Sequence, residues 1–245
     1  MEHKEGLIVG RNAVLQALES GRTIDSVTVA QGQHGGQAGK IIDICRERKI
    51  PVKFADARKL DRLCNGAAHQ GVAAFAAAHE YAELDDIFAL AQSRNESPFI
   101  VVCDSLEDPH NLGAILRSAE AAGVHGVIIP KRNSVTLNYT VAKTSAGAIE
   151  YVPVVKVANL PAVIDELKAR GVWIFGADMD GTDYTSLDYS GSIALVIGSE
   201  GKGIGRLVRE KCDFIASMPM RGKINSLNAS VAAGILMFEA AKHRN

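Results

Sequence analysis

The feature that most restricts how this chain can fold is a set of apolar runs that do not alternate. Phe99-Ile-Val-Val-Cys103, Val127-Ile-Ile129, Tyr151-Val-Pro-Val-Val155, Val172-Trp-Ile-Phe-Gly176 and Ile193-Ala-Leu-Val-Ile-Gly198 are each of strand length. A strand with one wet face alternates polar and apolar side chains, so unbroken runs imply burial on both faces and a mostly parallel sheet with helices on each side. Helices are expected between some of these strands, at residues 112–122, about 159–170 and 203–211. Ligands of such open sheets bind beyond the carboxyl ends of the strands. The loops carrying Asn111, Gly198 and Asn225 all fall at such ends.

The first 77 residues read differently, as a small α/β unit in which helical spacing alternates with short strands. Arg11 to Glu19 and Gly39 to Lys49 have helical periodicity, while Ser26-Val-Thr-Val-Ala30, Pro51-Val-Lys-Phe54 and Gly71-Val-Ala-Ala-Phe75 are strand-like. This segment holds 11 Lys/Arg against 8 Asp/Glu, although the whole chain has a net charge of −1. Seven of the bases, Arg46, Arg48, Lys49, Lys53, Arg58, Lys59 and Arg62, fall within 17 residues. Such a cluster suits phosphate contacts, and equally a solvated helix face. Residues 78–85 read as a linker, followed by a helix over Leu84 to Gln92 and a domain running from 86 to 245.

With 245 residues, 47% of them apolar, the chain can bury one large or two modest cores. No apolar run approaches the roughly 18 residues of a membrane span, and MEHKEGLIVG lacks a signal-peptide stretch, so cytoplasmic placement is expected. Cys45, Cys64, Cys103 and Cys212 lie far apart with no His at ligand spacing, which argues for free thiols and no metal site.

Two glycine- and amide-rich stretches carry the chemistry. Gly198-Ser-Glu-Gly-Lys-Gly-Ile-Gly205 follows a strand as a phosphate cradle would, but matches neither phosphate-loop pattern, and Glu200 would repel an anion. A carboxylate there suits a cation or a hydroxyl donor. Near the C-terminus a short strand, Asp213 to Met218, leads through Pro219 and Gly222 to Asn225, Ser226, Asn228 and Ser230, which open an almost wholly apolar helix. These side chains can cap the helix or hold a polar ligand against its unpaired N–H groups. The helix is apolar round most of its circumference, through Val231, Ile235, Leu236, Met237 and Phe238, and so needs a second covering besides the sheet.

Together with Asp108-Pro-His-Asn-Leu-Gly-Ala-Ile-Leu-Arg117, these stretches resemble, in order and spacing, the three motifs of the SpoU/TrmH family of RNA ribose 2′-O-methyltransferases. The resemblance covers residues 99–242. The front segment, with Val9-Gly-Arg-Asn-Ala-Val14 and His69-Gln-Gly-Val72, is similar to the L30e-like RNA-binding domain of the RlmB type, which acts on a guanosine of 23S ribosomal RNA. What this implies is an α/β domain with a C-terminal trefoil knot, S-adenosylmethionine as cofactor, RNA as substrate and a homodimer packed through knot helices.

By the same resemblance Asn111, Arg117, Glu200, Ser226 and Asn228 would be catalytic. Ile197, Gly198, Gly176, Met218, Met220 and Leu227 would bind the cofactor, largely through backbone. Asn12 stands where some relatives have His. A guanidinium is a poor proton acceptor, so Arg117 is expected to stabilise the developing alkoxide and the neighbouring phosphate, whereas its bland alternative is a surface pair with Glu120.

Overall fold

A computed structural model describes residues 6–33, 35–77, 79–223 and 226–244. It divides into two compact units, Met1–Glu80 with Thr136–Tyr139, and Tyr81–Val135 with Thr140–Asn245. In the first unit β1 (Leu7–Val9), α1 (Arg11–Glu19), β2 (Ile24–Ala30), α2 (Gly36–Glu47), β3 (Val52–Ala55), α3 (Ala57–Leu63) and β4 (Val72–Ala76) follow in order. The strands form a mixed sheet, β1-β4-β2-β3, in which only β2 and β3 run parallel. Val14 and Leu18 of α1 and Ile41 and Cys45 of α2 pack on Val27, Val29, Val72 and Ala74. Leu60 of α3 packs with Ala30, Cys64 and Ala73, whose side chains alternate to the opposite face. Some bases of the cluster are engaged locally: Arg48 donates to the Leu18 carbonyl (2.6 Å) and Arg46 pairs with Asp43 (3.4 Å).

In the second unit come α4 (Leu84–Ser93), β5 (Phe99–Cys103), α5 (Pro109–Ala121), β6 (Gly126–Pro130), α6 (Tyr139–Thr144), β7 (Val154–Val157), α7 (Leu160–Ala169), β8 (Trp173–Asp183), β9 (Ile193–Ile197), α8 (Arg206–Arg209), β10 (Phe214–Ser217) and α9 (Ala229–Ala241). The six strands, ordered β10-β8-β9-β5-β6-β7, are all parallel, as the unalternating runs require. One side of every second strand residue, including Ile100, Val102, Ile174 and Val196, meets α4, α7 and α8 through Ile87, Ile164, Leu167 and Val208. On the other side α5 and α9 cover the sheet. All four cysteines are free.

Several boundaries differ from expectation for local reasons. The helix expected over 203–211 shrinks to Arg206–Arg209, because Gly201 and Gly203 take positive φ (82° and 64°) and keep the preceding loop extended round the site. Pro153 and a 3₁₀ turn at Ala148–Glu150 delay β7 to Val154. Helix α5 starts three residues early, with Asp108 as its cap and Pro109 in the first turn. Strand β8 is much longer than its apolar run. Its partner β10 pairs Ile215 with Gly176 but the next residue, Ala216, with Thr182, so residues 177–181 arch out of the ladder. Gly181 permits this, since a Cβ there would meet the Ile215 carbonyl carbon at 2.7 Å and its oxygen at 2.3 Å.

At the opposite strand ends His125 is fully buried. The Phe99 N–H donates to its Nδ1 (2.9 Å), so Nε2 carries the proton and donates to Glu96 (3.0 Å). Desolvation, with Arg94 and Arg244 adding to it, holds its pKa below the ordinary value despite Glu96. The unfolded chain therefore takes up a proton first as pH falls through about 6.5, and the folded state loses stability below that pH. Urea midpoints should drop between about pH 6.5 and pH 5, and should drop less in His125→Gln, even though that variant is less stable throughout. An equal acid slope in the two proteins would assign the loss elsewhere.

Candidate active site

The order of the parallel strands sets the site. From β5 the chain crosses by α5 to β6 on one side, and from β9 it crosses by α8 to β10 on the other, so the β5 and β9 ends form a point of reversal where the loops diverge. The last ladder pair there is Cys103 with Ile197, extended by Asp104 N–H donating to the Ile197 carbonyl (2.8 Å). The buried Asp104 carboxylate then accepts from Gly205 N–H (2.7 Å), which ties the far end of the glycine loop back to β5. Gly198 has no room for a side chain: a Cβ would lie 2.1 Å from the Gly203 carbonyl carbon. The loop is thus folded on itself with Glu200 at its tip.

Three segments distant in sequence meet at that carboxylate. Asn111, in the first turn of α5 and buried, donates through Nδ2 to Glu200 Oε1 (2.9 Å). Asn228 Nδ2 donates to the same oxygen (2.6 Å) and to Asn111 Oδ1 (2.9 Å). The orientation of Asn228 is forced, because its Oδ1 caps α9 by accepting from Ser230 N–H (2.9 Å), Val231 N–H (3.3 Å) and Ser230 Oγ–H (2.6 Å). With its oxygen committed to the helix, its nitrogen must face the carboxylate. Asn228 thereby uses both of its N–H donors and its oxygen, and among the described residues Glu200 Oε2 has no hydrogen-bond partner.

Around this triangle lies a cleft of about 580 Å³. Ile197, Gly198, Met218, Met220, Leu227 and Ser226 line it, together with Glu200 and Asn228. Its lining combines an apolar side from Ile197, the two methionines and Leu227 with charge at Glu200, Lys202 and Asp178. Such a cleft fits a flat, partly apolar molecule with a charged end.

Two of the expected residues line neither this cleft nor its neighbour. Gly176 is not in the cleft: it is tightly packed in β8, where a Cβ would meet Cys212 Sγ at 2.9 Å and Ile204 Cδ1 at 3.0 Å. Arg117 lines neither this cleft nor its neighbour. Six residues beyond Asn111, it lies about 9 Å along the helix and about 120° round it. It is exposed, and among the described residues it makes no hydrogen bond or ion pair, so the surface pair with Glu120 does not form. Asn225 lies outside the described residues. Sequence reasoning missed Ala177, Asp178 and Met179, which reach the cleft only because β8 arches there, and it gave no role to Lys202.

The model of the SpoU rRNA methylase family matches residues 98–238, and that of the RNA 2′-O ribose methyltransferase substrate-binding domain matches residues 7–82. The chain belongs to the SpoU/TrmH family of RNA methyltransferases. A protein of Bacillus subtilis (strain 168) named as a TrmH family tRNA/rRNA methyltransferase, YacO, is 48% identical over 246 residues, covering 100% of this chain and 98% of its own length. One from Staphylococcus haemolyticus, named likewise, is 49% identical and covers 98% and 96%. Among solved structures, the SpoU methyltransferase AviRb from Streptomyces viridochromogenes in complex with AdoMet superposes with a TM-score of 0.61 at 26% identity, over 96% of this chain and 89% of that one. An AdoMet-bound rRNA methyltransferase from Sinorhizobium meliloti gives 0.61 at 25% identity, over 97% and 87%.

Because Asn228 both caps α9 and fixes Glu200, its two functions separate by substitution. Asn228→Ala should cost about 1–2 kcal/mol in urea denaturation. Asn228→Asp keeps the capping oxygen but faces Glu200 with a like charge, and should fall between the two. An alanine variant as stable as the parent would show that the cap is idle.

Proposed function

We propose that the protein transfers a methyl group from S-adenosylmethionine to a ribose 2′-hydroxyl of RNA, with a guanosine of 23S ribosomal RNA as the target the family resemblance implies. Its front unit would hold the RNA, and the cytoplasm would be its place of action. The observation that carries the reading is the Asn111–Glu200–Asn228 triangle opening onto an amphipathic cleft. Ile197, Gly198, Met218, Met220 and Leu227 would hold the cofactor in that cleft. When bound, S-adenosylmethionine supplies a methyl group on a positively charged sulfur, and its transfer leaves a neutral thioether and a proton.

Each residue then has a physical task. The amides of Asn111 and Asn228 fix the Glu200 carboxylate, so Oε2 accepts a hydrogen bond from the 2′-hydroxyl and aims the opposite lone pair. The hydroxyl proton becomes acidic as its oxygen gains a new bond to carbon, and it leaves toward the carboxylate. Ser226, on the rim, holds the ribose by its hydroxyl. Arg117 stabilises charge on the reacting oxygen and the adjoining phosphate.

Since Arg117 lines neither cavity of its own chain, it would do this from a second copy. Helix α5 packs against α9, and α9 leaves Val231, Ile235 and Phe238 exposed at 50%, 36% and 50%, a stripe of helical spacing with no cover among the described residues. A closed two-fold pairing over this stripe would bury it and carry each Arg117 toward the other copy's cleft. Light scattering should give about 52 kDa, twice the 26.1 kDa of one chain, and a monomer at micromolar concentration would end the dimer reading.

Arg117→Ala should lower methyl transfer by at least about a hundredfold and leave S-adenosylmethionine affinity within about twofold. Mixed equally with Asn111→Ala, itself inactive, it should recover about a quarter of the parent sites, since half the dimers would then pair one intact cleft with one intact arginine. No recovery after subunit exchange would place Arg117 on its own cleft, and unchanged turnover in the single variant would remove it from catalysis.

A further inference from the structure

A second cavity of about 530 Å³ adjoins the first, sharing Ser199, Glu200, Lys202 and Gly203 with it. The rest of its lining is the loop after β5, from Ser105 to Asp108, with Asn111, Asn133 and Gly205. A space of a few hundred Å³ opening beside a methyl-donor cleft is the size of one nucleoside. Its charge is unexpected for a site that receives a polyanion, because three carboxylates line it. Two are engaged: Glu200 by Asn111 and Asn228, and Asp108 by the His110 N–H (2.8 Å) at the start of α5. Glu107 is exposed and makes no hydrogen bond or ion pair among the described residues. Phosphates have partners nearby, since Asn133 follows Lys131 and Arg132, which are likewise without an acidic partner among the described residues.

A bare carboxylate beside RNA weakens binding unless it meets a donor edge that only it can satisfy. The bases differ sharply in what they offer it. Guanine presents two adjacent N–H donors, N1 and N2, on its pairing edge. Adenine and cytosine place a ring acceptor beside their one amino group, and uracil flanks its one N–H with two carbonyls. Two parallel charge-assisted bonds form with guanine alone, while the others bring a lone pair against the anion.

We infer that this second cavity seats the target base, turned out of its stack, and that Glu107 selects guanine there. The inference rests on the first cavity being the S-adenosylmethionine cleft, and it adds a specificity residue that the three motifs do not contain. A base held so would leave its ribose at the shared wall, where Glu200 stands.

The test uses the full-length protein, S-adenosylmethionine labelled in its methyl group, and unmodified transcripts of 23S ribosomal RNA and of transfer RNA, digested to nucleosides after reaction. The parent should place label in 2′-O-methylguanosine. Glu107→Gln, which offers one acceptor and one misplaced donor, should lose at least about tenfold in kcat/KM, and Glu107→Ala a similar amount, with the cofactor Kd by titration within about twofold in both. Inosine in place of the target guanosine, which lacks the N2 amino group, should lower the parent's rate and narrow the gap between parent and variants. Variants as active as the parent, or label in another nucleoside, would overturn the guanine assignment and leave methyl transfer standing. Loss of cofactor affinity in Glu107→Gln would give the cavity to the cofactor and overturn the inference. No transfer by the parent to any transcript would fell the underlying reading, and this inference with it.

Discussion

The structure of the site depends on one side chain being asked to do two things. Asn228 must turn its oxygen to the unpaired N–H groups of α9, and that leaves its nitrogen no direction but toward Glu200 and Asn111. The start of the last helix, the tip of the glycine loop and the first turn of α5 are therefore joined by hydrogen bonds as well as by the packing of α5 on α9. This matters because loops at strand ends carry few buried apolar contacts and would otherwise fluctuate. An amide is well suited to the task, since it pairs with backbone and carboxylate at once and stays neutral across the physiological pH range.

Much of the fold could be read from the chain because burial on both faces leaves an unmistakable pattern. Phe99–Cys103 and Ile193–Ile197 lie in the middle of the parallel sheet, and their side chains are buried without exception. Edge and arch residues left no such trace. The second half of β8, Ala177 to Asp183, is polar and glycine-containing, and it remains a strand only because β10 re-pairs with it after the arch. That is a tertiary choice that no local periodicity encodes, and it is why the cleft residues Ala177, Asp178 and Met179 were invisible.

The candidate site divides in the same way. Asn111, Glu200 and Asn228 were legible because their spacing resembles three motifs, and the geometry brings all three within hydrogen-bond reach. Gly176 lies outside the cleft lining for an instructive reason: a glycine at a strand end can admit a ligand or a neighbouring side chain, and here Cys212 and Ile204 stand against it. Arg117 shows the limit of one-chain reasoning. Helical geometry turns it away from Asn111, and it lines neither cavity of its own chain, which is what the proposed pairing of two copies would answer.

The electrostatics of the cleft follow from what must be bound there. A protein of net charge −1 has little general pull on RNA, so its cations must act locally: Lys202 lines the second cavity, and Lys131 and Arg132, which precede the lining residue Asn133, are likewise without an acidic partner among the described residues. Its anions act in the opposite sense, as filters. Glu200 is held by two amides, which fix its carboxylate at the wall common to both cavities, where under the proposed reading a hydroxyl donor would meet it from one side and a cation from the other. A site built from fixed carboxylates with loose cations at its edge sorts a nucleotide by its parts: the phosphate is drawn to the rim, the hydroxyl to the centre, and the base to whichever acceptor its donors can match.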